Sequence, residues 1–265
     1  MSPVITLTTD FGHKGPFVAV MKGVILKRTP DAHIIDLTHE ILAHWPAEAG
    51  FWLSHAYRYF PAGTVHVAVV DPGVGTERDI IAAEFDGHVF LAPDNGLLPI
   101  VFEADHSVRI YRMSADWHRA QNWPQASHTF HGRDIIAPMA AEIAAGRLHP
   151  QEIGPPVDDI VPSLLDSPLV RNDEVRGSVV TIDHFGNLIT NIEAELLAGF
   201  QHARVRVAGL HLALEQTYGN TQPGQFLALI NSFGVVEVAR AEGSAADTLG
   251  LGHGAPVVVS DRTTD

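Results

Sequence analysis

Cysteine is absent from this chain of 265 residues. That removes disulfides, thiolate zinc sites, iron–sulfur clusters and a catalytic thiol. Basic residues are scarce: Lys plus Arg is 17 and Asp plus Glu is 31, so the net charge is 17 − 31 = −14. So acidic a chain lacks the basic footprint of a nucleic-acid binder and is repelled by an anionic membrane surface. A small cationic ligand remains compatible with it. No apolar run approaches the ~20 residues of a membrane span. Met1-Ser2-Pro3 leads straight into Val4-Ile5-Thr6-Leu7, without the layout of a signal peptide. The expectation is a soluble, cytoplasmic protein, which suits the missing cysteines.

Apolar residues make up 46% and charged residues 18%, a globular composition. The length suits one large domain or two ordinary ones, with a core that needs no staples. The 16 histidines are scattered. His128 and His131 stand three apart with no paired acidic ligands, so capping or acid–base roles are expected and no metal site is.

Residues 1–153 alternate strand and helix. Val4–Leu7 is a short strand that ends in Thr9-Asp10-Phe11-Gly12. Pro16 opens a helix, with Phe17, Val20, Met21, Val24 and Ile25 as one apolar stripe, and Pro30 closes it. Ile34-Ile35 is a second strand. Pro46 starts a second helix with Ala49, Trp52, Leu53, Ala56 and Phe60 on one face. Thr64–Val70 reads as a buried strand, ended by Asp71-Pro72-Gly73. Ile80–Phe85 and Val89–Leu91 flank Asp86-Gly87, a two-residue hairpin signal. Ser107–Tyr111 is a weaker strand. A helix through Ile136, Met139, Ala140 and Ile143 stops at Gly146. The alternation predicts an α/β domain with a mainly parallel sheet.

Residues 154–168 carry Pro155, Pro156, Pro162 and Pro168 and read as an extended linker. Residues 169–265 change character. Short β-type runs at 174–183, 203–207, 210–214, 226–230, 235–239 and 256–260 are separated by Gly and Asn signals. They predict a small antiparallel barrel or sandwich, an all-β, barrel-like domain. Only 193–197 looks helical there.

Ligands of open α/β sheets bind at the carboxyl ends of strands. Polar turns fall there: Thr9-Asp10-Phe11-Gly12, Val70-Asp71-Pro72-Gly73-Val74-Gly75 and Pro93-Asp94-Asn95-Gly96, with Thr129-Phe130-His131-Gly132-Arg133-Asp134 before the Ile136 helix. Asp183-His184-Phe185-Gly186-Asn187 and Asn231-Ser232-Phe233-Gly234 are similar clusters in the second region. Each alone also serves as a plain turn or cap, Asp134 as an N-cap.

In this order and spacing, the six clusters resemble the S-adenosyl-L-methionine (SAM) hydrolases, also called SAM hydroxide adenosyltransferases, relatives of the SAM-dependent fluorinase and chlorinase. The resemblance spans nearly the whole chain. It implies an N-terminal α/β domain and a C-terminal β-barrel. It also implies a homotrimer with SAM held between the N-domain of one subunit and the C-domain of its neighbour. Asp10 is then similar to the carboxylate that binds both ribose hydroxyls, and Trp45 and Phe130 to walls of the cleft. Asp183 resembles the acceptor of the methionine ammonium and Ser232 the hydroxyl beside its carboxylate. Phe185 and Asn187 match the adenine side. Asp71, Arg78 and His131 resemble the water-activating triad, with Arg78 as the charge partner of Asp71 and His131 accepting or relaying the proton. SAM is substrate, adenosine and L-methionine are products, and no metal or other cofactor is implied. Halogenating relatives carry Tyr at the position of Asp71, and the fluorinase carries Tyr-Ser at His131-Gly132 and an insertion after the Ile80 strand that is missing here. Phe233 departs from the fluorinase, which has Arg there; Arg240 is the candidate substitute. A SAM-dependent halogenase and a non-catalytic adenosine or SAM sensor are the alternatives.

Overall fold

The computed structural model describes residues 2–102, 107–121 and 123–261. The last four positions of the expected second region, 262–265, lie outside the described residues. The chain divides into two compact units, residues 1–164 and 165–265.

In the first unit, β1 (Val4–Thr9), α1 (Phe17–Arg28), β2 (His33–Thr38), α2 (Pro46–Ala56) and β3 (Val65–Val69) follow in turn. After them come β4 (Ile80–Phe85), β5 (His88–Pro93), α3 (Pro99–Phe102), β6 (Arg109–Arg112), α4 (Ala115–Ala120) and α5 (Ala137–Ala144). The strands form one sheet in the order β2-β1-β3-β5-β4-β6. β1 runs parallel to β2 and β3, and β3 parallel to β5. β4 runs antiparallel to both β5 and β6. Five of the six strands therefore run in one direction, as expected of a mainly parallel sheet, and β4 alone is reversed, which makes the sheet mixed. The cause is local: Asp86-Gly87 closes a tight turn, and a two-residue link joins only antiparallel neighbours.

Both faces of the sheet are covered, so β3 reads as one apolar run. Val65, Val67 and Val69 face one core with Met21, Ile136 and Met139. Ala68 and Val70 face the other with Leu53, Tyr57 and Phe90. The buried stripe of α1 is Val18, Met21 and Ile25. Phe17 and Val20, expected on that stripe, are exposed. Phe17 turns instead toward Phe11 and Phe130, with ring centroids 6.1 and 5.6 Å away. Phe60, expected on the face of α2, lies beyond a tightened turn at Tyr57–Tyr59, and Tyr57 takes the core position. The proline-rich stretch does not hang free. The N–H groups of Arg112 and Val157 donate to Pro155 and Ile110 carbonyls across β6, at 3.1 and 2.9 Å.

Inside this unit a buried chain of polar groups crosses the sheet. Thr6 Oγ1 lies 2.8 Å from His66 Nδ1, and His66 Nε2 lies 3.2 Å from His88 Nδ1. Burial above all, then the neighbouring His88, lowers the pKa of His66 from 6.5 to about 3. A base whose folded pKa is depressed contributes stability above its unfolded pKa and loses it as pH falls toward the folded one. For His66 the loss is about 2 kcal/mol at pH 5. Urea midpoints should fall as pH is lowered from 7 to 4.5. His66→Phe, which takes up no proton, should flatten that slope. A slope unchanged by the substitution would place the acid sensitivity elsewhere.

The second unit contains β7 (Leu169–Arg171), β8 (Glu174–Ile182), β9 (Leu188–Glu193), β10 (Arg204–Val207), β11 (Leu210–Glu215), β12 (Phe226–Ile230), β13 (Val235–Arg240), α6 (Ala245–Leu249) and β14 (Pro256–Ser260). The order is β14-β10-β11-β12-β13-β9-β8, and β8 pairs again with β14, so seven strands close a barrel, with β7 added alongside β8. Val179, Leu188, Val205, Val236 and Val257 fill it. Two features depart from a purely antiparallel, all-β reading: β11 meets β12 in parallel, and α6 lies after β13. Among the described residues, no helix of either unit is long and apolar enough to cross a membrane.

Candidate active site

β1 and β3 are parallel neighbours whose register runs to Thr9↔Val69. Their chains therefore leave the sheet side by side, with Asp10 following one strand and Asp71 the other, where α/β sheets hold ligands. A cleft of about 300 Å³ opens there, lined by Asp10, Phe11, Phe17, Asp71, Phe130 and His131 with parts of neighbouring loops. Phe11 and Phe130 meet edge to face at 5.7 Å and complete an aromatic wall with Phe17.

Asp10 sits on a fixed turn. Buried Thr9 Oγ1 lies 2.9 Å from His39 Nδ1 and also accepts the Phe11 N–H at 3.2 Å. Asp10 Oδ2 accepts the N–H of His44 at 3.0 Å, and His44 has a left-handed φ of 65°. The carboxylate thus holds the neighbouring loop with one oxygen. A carboxylate offers about four acceptor sites, so most of its capacity stays available to the cleft.

Asp71 and Arg78 form a two-pronged pair. Arg78 Nε donates to both carboxylate oxygens at 3.0 Å, and Nη2 donates to Oδ2. The side chains are only 5% and 11% exposed, so solvent screens this pair far less than a surface one. Arg78 Nη2 also lies 2.9 Å from His131 Nδ1. A guanidinium only donates, so Nδ1 must be the acceptor. The neutral imidazole then carries its proton on Nε2. Burial first, then the charge of Arg78, lowers the His131 pKa below the ordinary 6.5, which keeps the ring neutral at pH 7. In this arrangement Nδ1 is occupied by Arg78 and Nε2 carries the proton.

Loop geometry holds the three together. Gly75 has φ +79°, and a Cβ there would stand 2.1 Å from the His128 carbonyl oxygen. Gly132–Ile136 is a widened, π-type turn ahead of α5, and His131 directly precedes it. Such turns often mark functional sites. Asp134 does not cap α5 as expected. It accepts the Ser127 N–H at 2.8 Å and pairs with Arg133, bracing the 127–130 loop.

Trp45, expected as a wall, directly precedes α2 and is not among the residues lining this cleft; Ala43 and His44 are. Phe11 belongs to the Thr9-Asp10-Phe11-Gly12 turn singled out in the sequence, whereas Phe17 and His44 had no signal there as cleft residues.

In the second unit, an open hollow of about 520 Å³ is lined by Asp183, His184, Phe185, Ser244 and Asp247, among others. Phe185 presents its ring 74% exposed. Asp183 Oδ1 accepts the N–H groups of Phe185 and Asn187 at 2.9 Å, and Oδ2 accepts Asn187 Nδ2 at 3.0 Å. Asn187 is therefore buried against Asp183. Ser232 is exposed in the β12–β13 turn, which Asn231 Oδ1 shapes by accepting the Phe233 N–H at 3.0 Å. Arg240 is committed to its own loop: Nε donates to the Gly224 carbonyl at 3.0 Å. Among the described residues, no three His, Asp or Glu side chains converge as a metal site.

A carboxylate, a guanidinium and an imidazole are thus bonded in series at the strand-end cleft of an α/β unit. Known proteins narrow the class. Residues 5–154 match the SAM hydroxide adenosyltransferase N-terminal domain and residues 177–258 its C-terminal domain. The chain is 38% identical over 261 residues to the (R)-S-adenosyl-L-methionine hydrolase of Thermus thermophilus, covering 97% of this chain and 99% of that one. It superposes on a crystal structure of an uncharacterized conserved protein from Thermotoga maritima with a TM-score of 0.86, at 34% identity, covering 97% and 99% of the two chains. A fluorinase of Actinoplanes is more distant, at 29% identity over 297 residues and 98% of each chain. The chain belongs to the SAM hydroxide adenosyltransferase family.

Proposed function

We propose that this chain hydrolyses SAM to adenosine and L-methionine. The observation that carries the reading is the Asp71–Arg78–His131 series at an aromatic cleft that Asp10 also lines. The water oxygen attacks the ribose 5′ carbon. The C5′–S bond breaks, its electron pair stays on sulfur, and methionine leaves as a neutral thioether. Asp71 takes the proton, because it is the acceptor of the series; His131 Nε2–H donates to the water oxygen and holds it in line. Placing the nucleophile in line contributes ~7–11 kcal/mol in favourable cases. Attack by an anion on a sulfonium neutralises charge in the transition state, so a cleft with little water favours it. The sulfonium is already a good leaving group, so the reaction as written uses no cofactor.

Asp10 suits a vicinal diol, since one carboxylate accepts from two hydroxyls at once. The aromatic wall suits the nucleoside. Asp183, Phe185, Asn187 and Ser232 are assigned to the methionine and adenine ends, and Trp45 to the outer rim. The family resemblance implies a homotrimer in which a neighbouring subunit supplies the second set, and that is the assembly proposed. Light scattering that gives a monomer at assay concentration would remove it. The cysteine-free composition suits the cytoplasm.

Asp71 also argues against a halogenase, since its charge repels an entering halide. The test is chromatography of each sulfonium epimer of SAM after incubation with the protein, with and without chloride. Adenosine and methionine in equal amounts are expected, with the R epimer consumed faster, by analogy with the (R)-S-adenosyl-L-methionine hydrolase of Thermus thermophilus. A 5′-chloroadenosine peak would establish the halogenase, and both epimers unchanged would leave a sensor.

A further inference from the structure

We infer that Asn95 is a positioning residue for this reaction: its turn clamps the chain on both sides of the Asp71–Arg78 pair. The inference rests on the function proposed above and adds a residue to it. The parallel ladder between β3 and β5 stops at Val67↔Leu91. Beyond it, fully buried Val70 lies one residue past the end of β3, and its carbonyl needs a partner away from water. Asn95 Nδ2 donates to that carbonyl at 2.8 Å. The next residue in the chain is Asp71. One residue before Asn95, the Asp94 N–H donates to the carbonyl of Asp79 at 2.9 Å, and Asp79 directly follows Arg78. Two consecutive residues thus grip the chain at the two ends of the loop 71–78.

The grip is itself anchored. Asp94 is buried, and its Oδ1 accepts the Val161 N–H at 2.9 Å. Arg112 Nε lies 3.0 Å from the carboxylate of Asp79, and its Nη2 3.6 Å from that of Asp94. Gly96 has φ +85°, and a Cβ there would stand 2.5 Å from the Pro162 carbonyl oxygen, so the turn has no room to shift that way. Asn95 Oδ1 is buried without a partner among the described residues. The amide is therefore oriented by its donor side alone, toward Val70. Leaving a buried acceptor unmet is costly, and here the carboxamide is aimed at the residue before the proposed base.

The test is Asn95→Asp, which keeps the shape but turns an oxygen toward the Val70 carbonyl, beside Asn95→Ala, which removes the group without repulsion. Both are assayed with wild type for SAM turnover, adenosine affinity, the pH profile of kcat and hydrogen exchange of the Arg78 Nε–H by NMR. Expected are a kcat lower by about 10–100-fold, since an ångström of misplacement costs that order, an unchanged KM and adenosine affinity, a displaced pH profile and faster Arg78 Nε–H exchange. A purely structural role would lower the melting temperature and leave the kcat of the folded fraction, the pH profile and the exchange rate as in wild type, which would overturn the inference. A KM effect at constant kcat would overturn it as well. Should wild type itself leave SAM intact, the proposed function falls, while the Arg78 exchange rate still decides whether Asn95 holds the pair.

Discussion

Asp71→Asn is expected to lower kcat for SAM hydrolysis by ~10²–10⁴-fold, the range for loss of a positioned base, and to leave adenosine affinity at its wild-type value. The substitution keeps the volume and one acceptor oxygen, so Arg78 retains a hydrogen bond and the loop 71–78 retains its course. What disappears is the group able to accept a proton from water. His131 does not compensate, because its Nδ1 is occupied by Arg78 Nη2 at 2.9 Å and its Nε2 already bears a proton. Single-turnover assays and calorimetry with adenosine separate the two effects. Collapse of adenosine affinity together with turnover would make Asp71 a binding residue and return the search for the base to the rest of the cleft.

Asp10→Asn is expected to weaken adenosine binding much more than binding of 2′,3′-dideoxyadenosine. Hydrogen bonds to a charged acceptor contribute ~1.5–3 kcal/mol and neutral ones about half that. With two hydroxyls involved, the loss for adenosine is on the order of 10–100-fold. The structure also supplies the competing role, since Asp10 Oδ2 accepts the His44 N–H at 3.0 Å and holds the 42–45 loop. Asparagine retains that bond through its oxygen, so the loop should stay in place and the dideoxy ligand should report nothing. Equal weakening of both ligands would assign Asp10 to the loop alone. Unchanged affinity for both would take it out of the site.

Local sequence determined the elements whose signals are short-range. The apolar run of β3, buried on both faces, and the Asp86-Gly87 turn needed no partner to be recognised. The motif order at Asp10, Asp71, Phe130-His131, Asp183-Asn187 and Asn231-Ser232 was likewise enough to point to the family. β9 carries no clear strand signal, because Thr190 and Asn191 resemble turn residues. In the barrel their polar groups are satisfied across strands: Thr190 Oγ1 donates to the Val236 carbonyl at 2.8 Å and Asn191 Oδ1 accepts the Ser178 N–H at 2.8 Å. The same holds for Phe17, whose spacing fits the α1 stripe and whose ring is drawn off by Phe11 and Phe130.

Sequence by itself therefore determined that this acidic, cysteine-free chain has an α/β region followed by a β-rich one, and which carboxylates end its strands. Those properties are written in residue type and in spacings of a few positions. Only the tertiary structure decided that Arg78 answers Asp71 with both carboxylate oxygens, that His131, 53 residues further on, is the acceptor of that same guanidinium, and that Asn95 reaches the carbonyl before Asp71. The direction of a hydrogen bond depends on which donors surround an imidazole or an amide. Those neighbours are brought in by strand order and loop closure, which no local pattern encodes.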